Sequence, residues 1–151
     1  MKKIIIFVFI SLLIGACSTT KIAYQRTGEV VYVGRDGNNT LTLESKGYGA
    51  NLNDAVFFAE KNAFENLFFK GIPNSNQQTP MIPDENTALQ GHASFFDSFF
   101  NSGEYRKYVI SSSLLNKNSG KGVLVTQEIN LDIAALRKRL EEEKIIRKFG
   151  I

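Results

Sequence analysis

Side chains able to do covalent or metal chemistry are sparse in this chain: 151 residues hold one histidine, His92, and one cysteine, Cys17. A metal site built from several imidazoles is out of reach, and a lone Cys closes no intramolecular disulfide. Acidic neighbours occur at Asp84-Glu85 and Glu141-Glu142-Glu143. Adjacent carboxylates on a loop or a solvated helix face are usually solubilising rather than an acid/base pair. Arg137-Lys138-Arg139 stand four residues before the three glutamates, the spacing of a self-paired helix face. A hydrolase would need carboxylates such as Asp84, Glu85 and Asp97 to converge in a cleft. Gly47-Tyr48-Gly49 precedes a helical stretch, where backbone amides can cradle phosphate. Neither the P-loop nor the full dinucleotide spacing is present, so these glycines read as a turn with close packing of strand onto helix. The expectation is a protein that is not an enzyme, with no metal and no cofactor.

Cys17 has a more specific setting. Lys2 and Lys3 precede an apolar run from Ile4 to Ile14, then Gly15-Ala16-Cys17. The run is too short to cross roughly 30 Å of hydrocarbon as a helix, which marks a secretory signal rather than a permanent span. Its end, Ile14-Gly15-Ala16-Cys17, resembles the bacterial lipobox. That resemblance implies cleavage before Cys17, a diacylglycerol on its thiol and often a further palmitate-like chain on the new amine. Two or three chains, at ~0.8 kcal/mol per buried CH₂, hold a protein stably on a membrane. The thiol would then be committed to lipid and unable to serve as a nucleophile beside His92. Ser18 stands where an Asp would resemble an inner-membrane retention signal, so in a diderm the resemblance favours the outer membrane, facing the periplasm. Without residues 1–16 the formal charge falls from +3 to about +1. The basic footprint of a nucleic-acid binder is missing.

The remainder divides into a polar tether, residues 17–28, and one α+β domain over 29–148 with an insertion at 73–103. Val30 to Val33 and Thr40 to Glu44 flank Gly34-Arg35-Asp36-Gly37-Asn38-Asn39, a hairpin signal that puts Leu41 and Leu43 on one face. Asp54 to Lys70 predicts a long helix, capped by Asn51 or Asn53 and ended by Gly71 and Pro73. Ala55, Ala59 and Ala63 fall on one stripe of it, suited to close approach to a sheet. Phe57, Phe64 and Phe68 form one wing and Phe58 and Phe69 another. Residues 74–91 read as an ordered loop. Ser94 to Asn101 reads as a short helix lying on one Phe wing. Two further strands, Tyr105–Leu115 and Gly122–Leu131, form a second hairpin, with Tyr108, Ile110 and Leu114 opposing Val123, Val125, Ile129 and Leu131. Residues 132–148 predict a terminal amphipathic helix with Ile133, Leu136, Leu140 and Ile145 facing inward. The order is ββαββα: two layers, an antiparallel sheet against helices, with a Phe-rich insertion.

Nine of the 12 phenylalanines lie between Phe57 and Phe100. Burial would make them core, at about 1.5–3 kcal/mol each. Alternatively Phe95, Phe96, Phe99 and Phe100 line a groove for a partner or an apolar ligand.

Ser45-x-Gly47-x-Gly49, then Ala55, Ala59, Ala63 and Leu67, paired strands and a final helix resemble the twenty-kilodalton membrane-associated lipoprotein family and the related N-terminal domain of flagellar assembly protein T. The resemblance spans roughly residues 29–145 and departs from the pattern in the long insertion. It implies a non-enzymatic envelope lipoprotein with no catalytic residues. The expected function is a binding or scaffolding module, joined to the membrane through lipidated Cys17 and to an envelope protein partner. The alternative is a carrier of hydrophobic small molecules through the Phe-rich region.

Overall fold

The structure, a computed structural model, describes residues 28–34, 37 and 39–148. They form β1 (Val30–Tyr32), β2 (Thr40–Gly49), α1 (Leu52–Phe69), α2 (Glu85–Gly91), α3 (Ala93–Phe100), a 3-10 turn (Glu104–Tyr108), β3 (Val109–Ser119), β4 (Val123–Asp132) and α4 (Ile133–Glu142). The strands make one antiparallel sheet in the order β1-β2-β4-β3. The fold is α+β, with helices packed on the sheet.

The central pair sets the shape of the core. Leu41 registers with Leu131, Leu43 with Ile129, Ser45 with Gln127 and Gly47 with Val125. One end of this face therefore carries large aliphatic side chains and the other almost none. The long helix matches that gradient. Ala55 and Ala59 pack with Val125 at the glycine end, while Ala63, Phe64, Leu67 and Phe68 meet Leu41, Leu43, Ile129 and Leu131 at the other. A Cβ on Gly47 would overlap the Ala55 carbonyl oxygen and the Ala59 backbone, so α1 and β2 approach almost backbone to backbone there. Ser45 Oγ donates to the Ala59 carbonyl at 2.6 Å across the same contact. The close packing expected of Gly47 and Gly49 is present, but both belong to β2 and the turn follows them.

Asn51 is the residue that caps α1, its Oδ1 accepting from the Asp54 amide at 3.0 Å. Gly71 ends the helix region with φ 78°. The chain then returns along the helix end, where the Met81 and Ile82 amides donate to the Leu67 and Phe68 carbonyls at 3.2 and 2.8 Å. These bonds satisfy carbonyls that a helix terminus leaves without intrahelical partners. They also bury Met81 and Ile82.

Four expectations need correction. Residues 74–91 are not wholly loop: Asp84 caps α2 by accepting from the Thr87 amide and hydroxyl at 3.0 and 2.7 Å. Residues 104–108 form a 3-10 turn rather than the start of a strand, so Tyr105 and Tyr108 enter the core from it. Ile110 and Leu114 are 56% and 46% exposed and do not oppose the apolar row of β4. Register shifts at Val109/Ser111 and Leu114/Asn116 remove the strict alternation that such pairing needs. Finally, α4 stops at Glu142 because Lys144 takes φ 59°, and the Ile145 amide turns back to the Leu140 carbonyl at 2.9 Å. Asp132 caps its start through the Ala135 amide at 2.8 Å.

Candidate functional site

Phe95, Phe96, Phe99 and Phe100 are between 0 and 7% exposed, so the proposed Phe surface is core. Phe99 packs edge-on against Phe64 at 5.3 Å between ring centres and stacks on Tyr108 at 5.8 Å. Phe96 lies 6.4 Å from Phe68 and 6.0 Å from Phe69, so α3 bridges both wings of α1. A helix apolar on most sides needs cover on most sides, and the insertion supplies it. Cys17, the anticipated lipid attachment site, lies outside the described residues.

Among the described residues, one opening lies beside the aromatic core. Three segments line an open cleft of about 660 Å³: Met81–His92, Arg137 of α4, and Lys144–Arg147. That volume falls in the range of small-molecule sites, roughly 300–1,000 Å³. Its base is buried Met81, Ile82 and Ala88, and half-buried Ile145 and Ile146 form a wall packed on the core. Pro83, Lys144 and Arg147 stand exposed at the mouth. The returning loop positions Met81 and Ile82, and the left-handed turn at Lys144 swings Ile145 and Ile146 back over them. Arg137 is held in the wall by its Nη2, which donates to Gln77 Oε1 at 2.9 Å.

The acidic candidates do not converge. Of Asp84, Glu85 and Asp97, Asp84 alone lines the cleft. Hydrogen bonds from the Thr87 amide and hydroxyl hold its carboxyl below the usual range. Asp97 accepts from Asn101 Nδ2 at 2.6 Å on the exposed face of α3. His92 is half-buried between α2 and α3 and lines the cleft. The expected α4 pairing is partly present: Lys138 meets Glu142 at 3.9 Å and Arg139 meets Glu143 at 2.6 Å. Arg137 has turned to Gln77 instead. Among the described residues no three His, Cys, Asp or Glu side chains could hold a metal ion, and no helix is long and apolar enough to cross a membrane.

A second polar cluster serves packing. Tyr105 Oη donates to buried Glu60 Oε2 at 2.5 Å. Burial, then the neighbouring Glu60 carboxylate, pushes the phenol up to about 12. Burial also raises Tyr108. The Tyr105–Glu60 bond fastens the 3-10 turn to α1.

Comparison with family models, with characterised proteins and with solved structures finds no match to this chain. The cleft itself had weak sequence signals: an apolar Met81-Ile82-Pro83 triplet inside a polar stretch and Ile145-Ile146 after a charged helix. Of the residues lining it, the sequence pattern predicts only Ile145 to face inward.

Proposed function

We propose that this chain is a bacterial lipoprotein anchored through acylated Cys17, at the outer membrane facing the periplasm, whose domain is a non-enzymatic module that binds or scaffolds another envelope component. The observation that carries the binding half is the cleft: an aliphatic base with a polar mouth, built on the packed core by the insertion and the C-terminal segment. The anchoring half rests on Cys17 directly after the short apolar run and Gly15-Ala16. The glycine-to-alanine contact of β2 with α1 gives those spaced small residues a packing role.

The carrier reading keeps some support, with its site moved from the buried phenylalanines to this cleft.

Metabolic labelling with an alkyne palmitate tests the anchor. Wild type should incorporate label and fractionate with membranes, and Cys17→Ser should do neither; equal labelling of both removes the anchor. A photo-crosslinking residue at Arg147, at the cleft mouth, should give a discrete product in cells, whereas one at Thr126 on the outer sheet face should not. Products from Thr126 alone would refute the cleft as the working surface.

A further inference from the structure

The mouth of the cleft is lopsided in charge. Arg137, Lys144 and Arg147 contribute three cations from the C-terminal part of the chain, against one carboxylate, Asp84. Both Asp84 oxygens are engaged by Thr87 at the start of α2, one by its amide and one by its hydroxyl. The Asp84 carboxylate is thus already bonded within its own helix start. Below the rim the surface changes abruptly to Met81, Ile82, Ala88, Ile145 and Ile146. A cationic amphiphile entering this cleft would meet three like charges, and a neutral one would gain nothing from them. An anionic head matches the rim while its alkyl chain covers the base.

We propose that the cleft binds a single-chain amphiphile with an anionic head, carboxylate or phosphate ester. The head lies at the rim among Arg137, Lys144 and Arg147, and the chain lies along Met81, Ile82 and Ile146. This rests on the domain being a binding module and names what it binds. Arg137 is the specific element. Arg137 is half-buried, and its guanidinium is oriented by Gln77, itself 8% exposed, whose Nε2 donates to the Thr79 carbonyl at 2.7 Å. A planar fork held in this way suits an oxyanion better than a mobile ammonium does. Lys144 and Arg147 are exposed and add charge at the entrance.

The full-length lipoprotein in its own membranes can be tested with clickable diazirine probes of one chain length: dodecanoate, dodecyl phosphate, dodecanol and dodecyltrimethylammonium. Crosslinks from an anionic probe should map to residues 81–92 and 144–147. The two anionic probes separate a free fatty acid from a phosphate-bearing lipid fragment as the source. Lys144→Gln with Arg147→Gln, both at solvent-exposed positions, should lower anionic labelling about tenfold, the scale of one charge-assisted contact, and leave dodecanol labelling unchanged. Lys144→Glu with Arg147→Glu should turn the preference toward the cationic probe. Equal labelling by all four probes, labels mapping elsewhere, or indifference to both double variants would overturn the proposal. If labelling fails while Arg147 crosslinks to an envelope component still form, the ligand class is wrong and the binding module stands. Loss of both removes the module as well.

Discussion

Gly47 has no room for a methyl group, because the added carbon would meet backbone atoms of Ala55 and Ala59 rather than a side chain that can move. Overpacking a well-filled contact costs ~1–3 kcal/mol, and a clash with two turns of helix backbone belongs at the top of that range or above it. Gly47→Ala should therefore lose at least ~3 kcal/mol in urea unfolding. Gly91→Ala, where nothing lies within 4 Å, should be neutral or stabilising by up to ~1 kcal/mol through helix propensity. The Tyr105 hydroxyl makes a second residue-scale case. Tyr105→Phe leaves the buried Glu60 without that donor and should destabilise by about 1–3 kcal/mol. The folded phenol titrates near 12 against an ordinary value of 10. Between those values the unfolded chain releases this proton while the folded chain keeps it, so the phenol's contribution is intact below pH 10 and declines as pH rises toward 12. Tyr108, raised in the same direction, adds to the decline. Alkaline unfolding curves should fall less steeply over this window in Tyr105→Phe than in wild type, and equal slopes would refute the assignment.

At the scale of elements, the Phe-rich insertion is the outer half of the core. Phe99 is fully buried and its ring lies near those of Phe64, Phe68, Phe95, Phe100, Tyr105 and Tyr108. Phe99→Ala should cost ~3–5 kcal/mol and loosen α3 from α1 before the sheet melts, seen as early loss of protection in residues 93–108. Much of this arrangement was legible in the sequence because periodicity records burial: the alanine stripe, the paired phenylalanines and the Gly71 stop each correspond to an observed contact. What was hidden depends on tertiary partners. The seven residues of α2 are too few for periodicity to stand out against their Asn, Gln and Pro surroundings, although Asp84-x-x-Thr87 held the cap. The 3-10 turn looked like strand because Tyr105, Tyr108 and Val109 suit a strand in isolation. The cleft was invisible for another reason. Its base, its wall and Arg137 come from separated segments, and only the return of the chain at Gly71 and the left-handed turn at Lys144 bring them together.

For the molecule as a whole, the helices lie over β2 and β4, while residues 110–119 of β3 are exposed along their length. β3 pairs with β4 on one side and forms the outer edge of the sheet on the other. An edge with exposed Ile110, Leu114 and Leu115 is a template for pairing with another chain, and proteins blunt such edges with bulges and lysines. Both devices are present here: two register breaks bend the strand, and Lys117 sits beyond the second. The consequence is uneven stability. Backbone bonds of the β2–β4 pair are shielded by the aliphatic and alanine contacts of α1, whereas those of β3 have little side-chain cover. Local opening free energy follows such cover, so native-state hydrogen exchange should show β3 amides opening by a sub-global route while β2 and the paired half of β4 exchange only with global unfolding. Replacing Ile110 and Leu115 with Thr should leave global stability within about 0.5 kcal/mol per site, as for exposed positions generally. Protection of β3 equal to that of β2 would mean that another surface covers this edge, and its disappearance on dilution would identify that surface as a second copy of the chain.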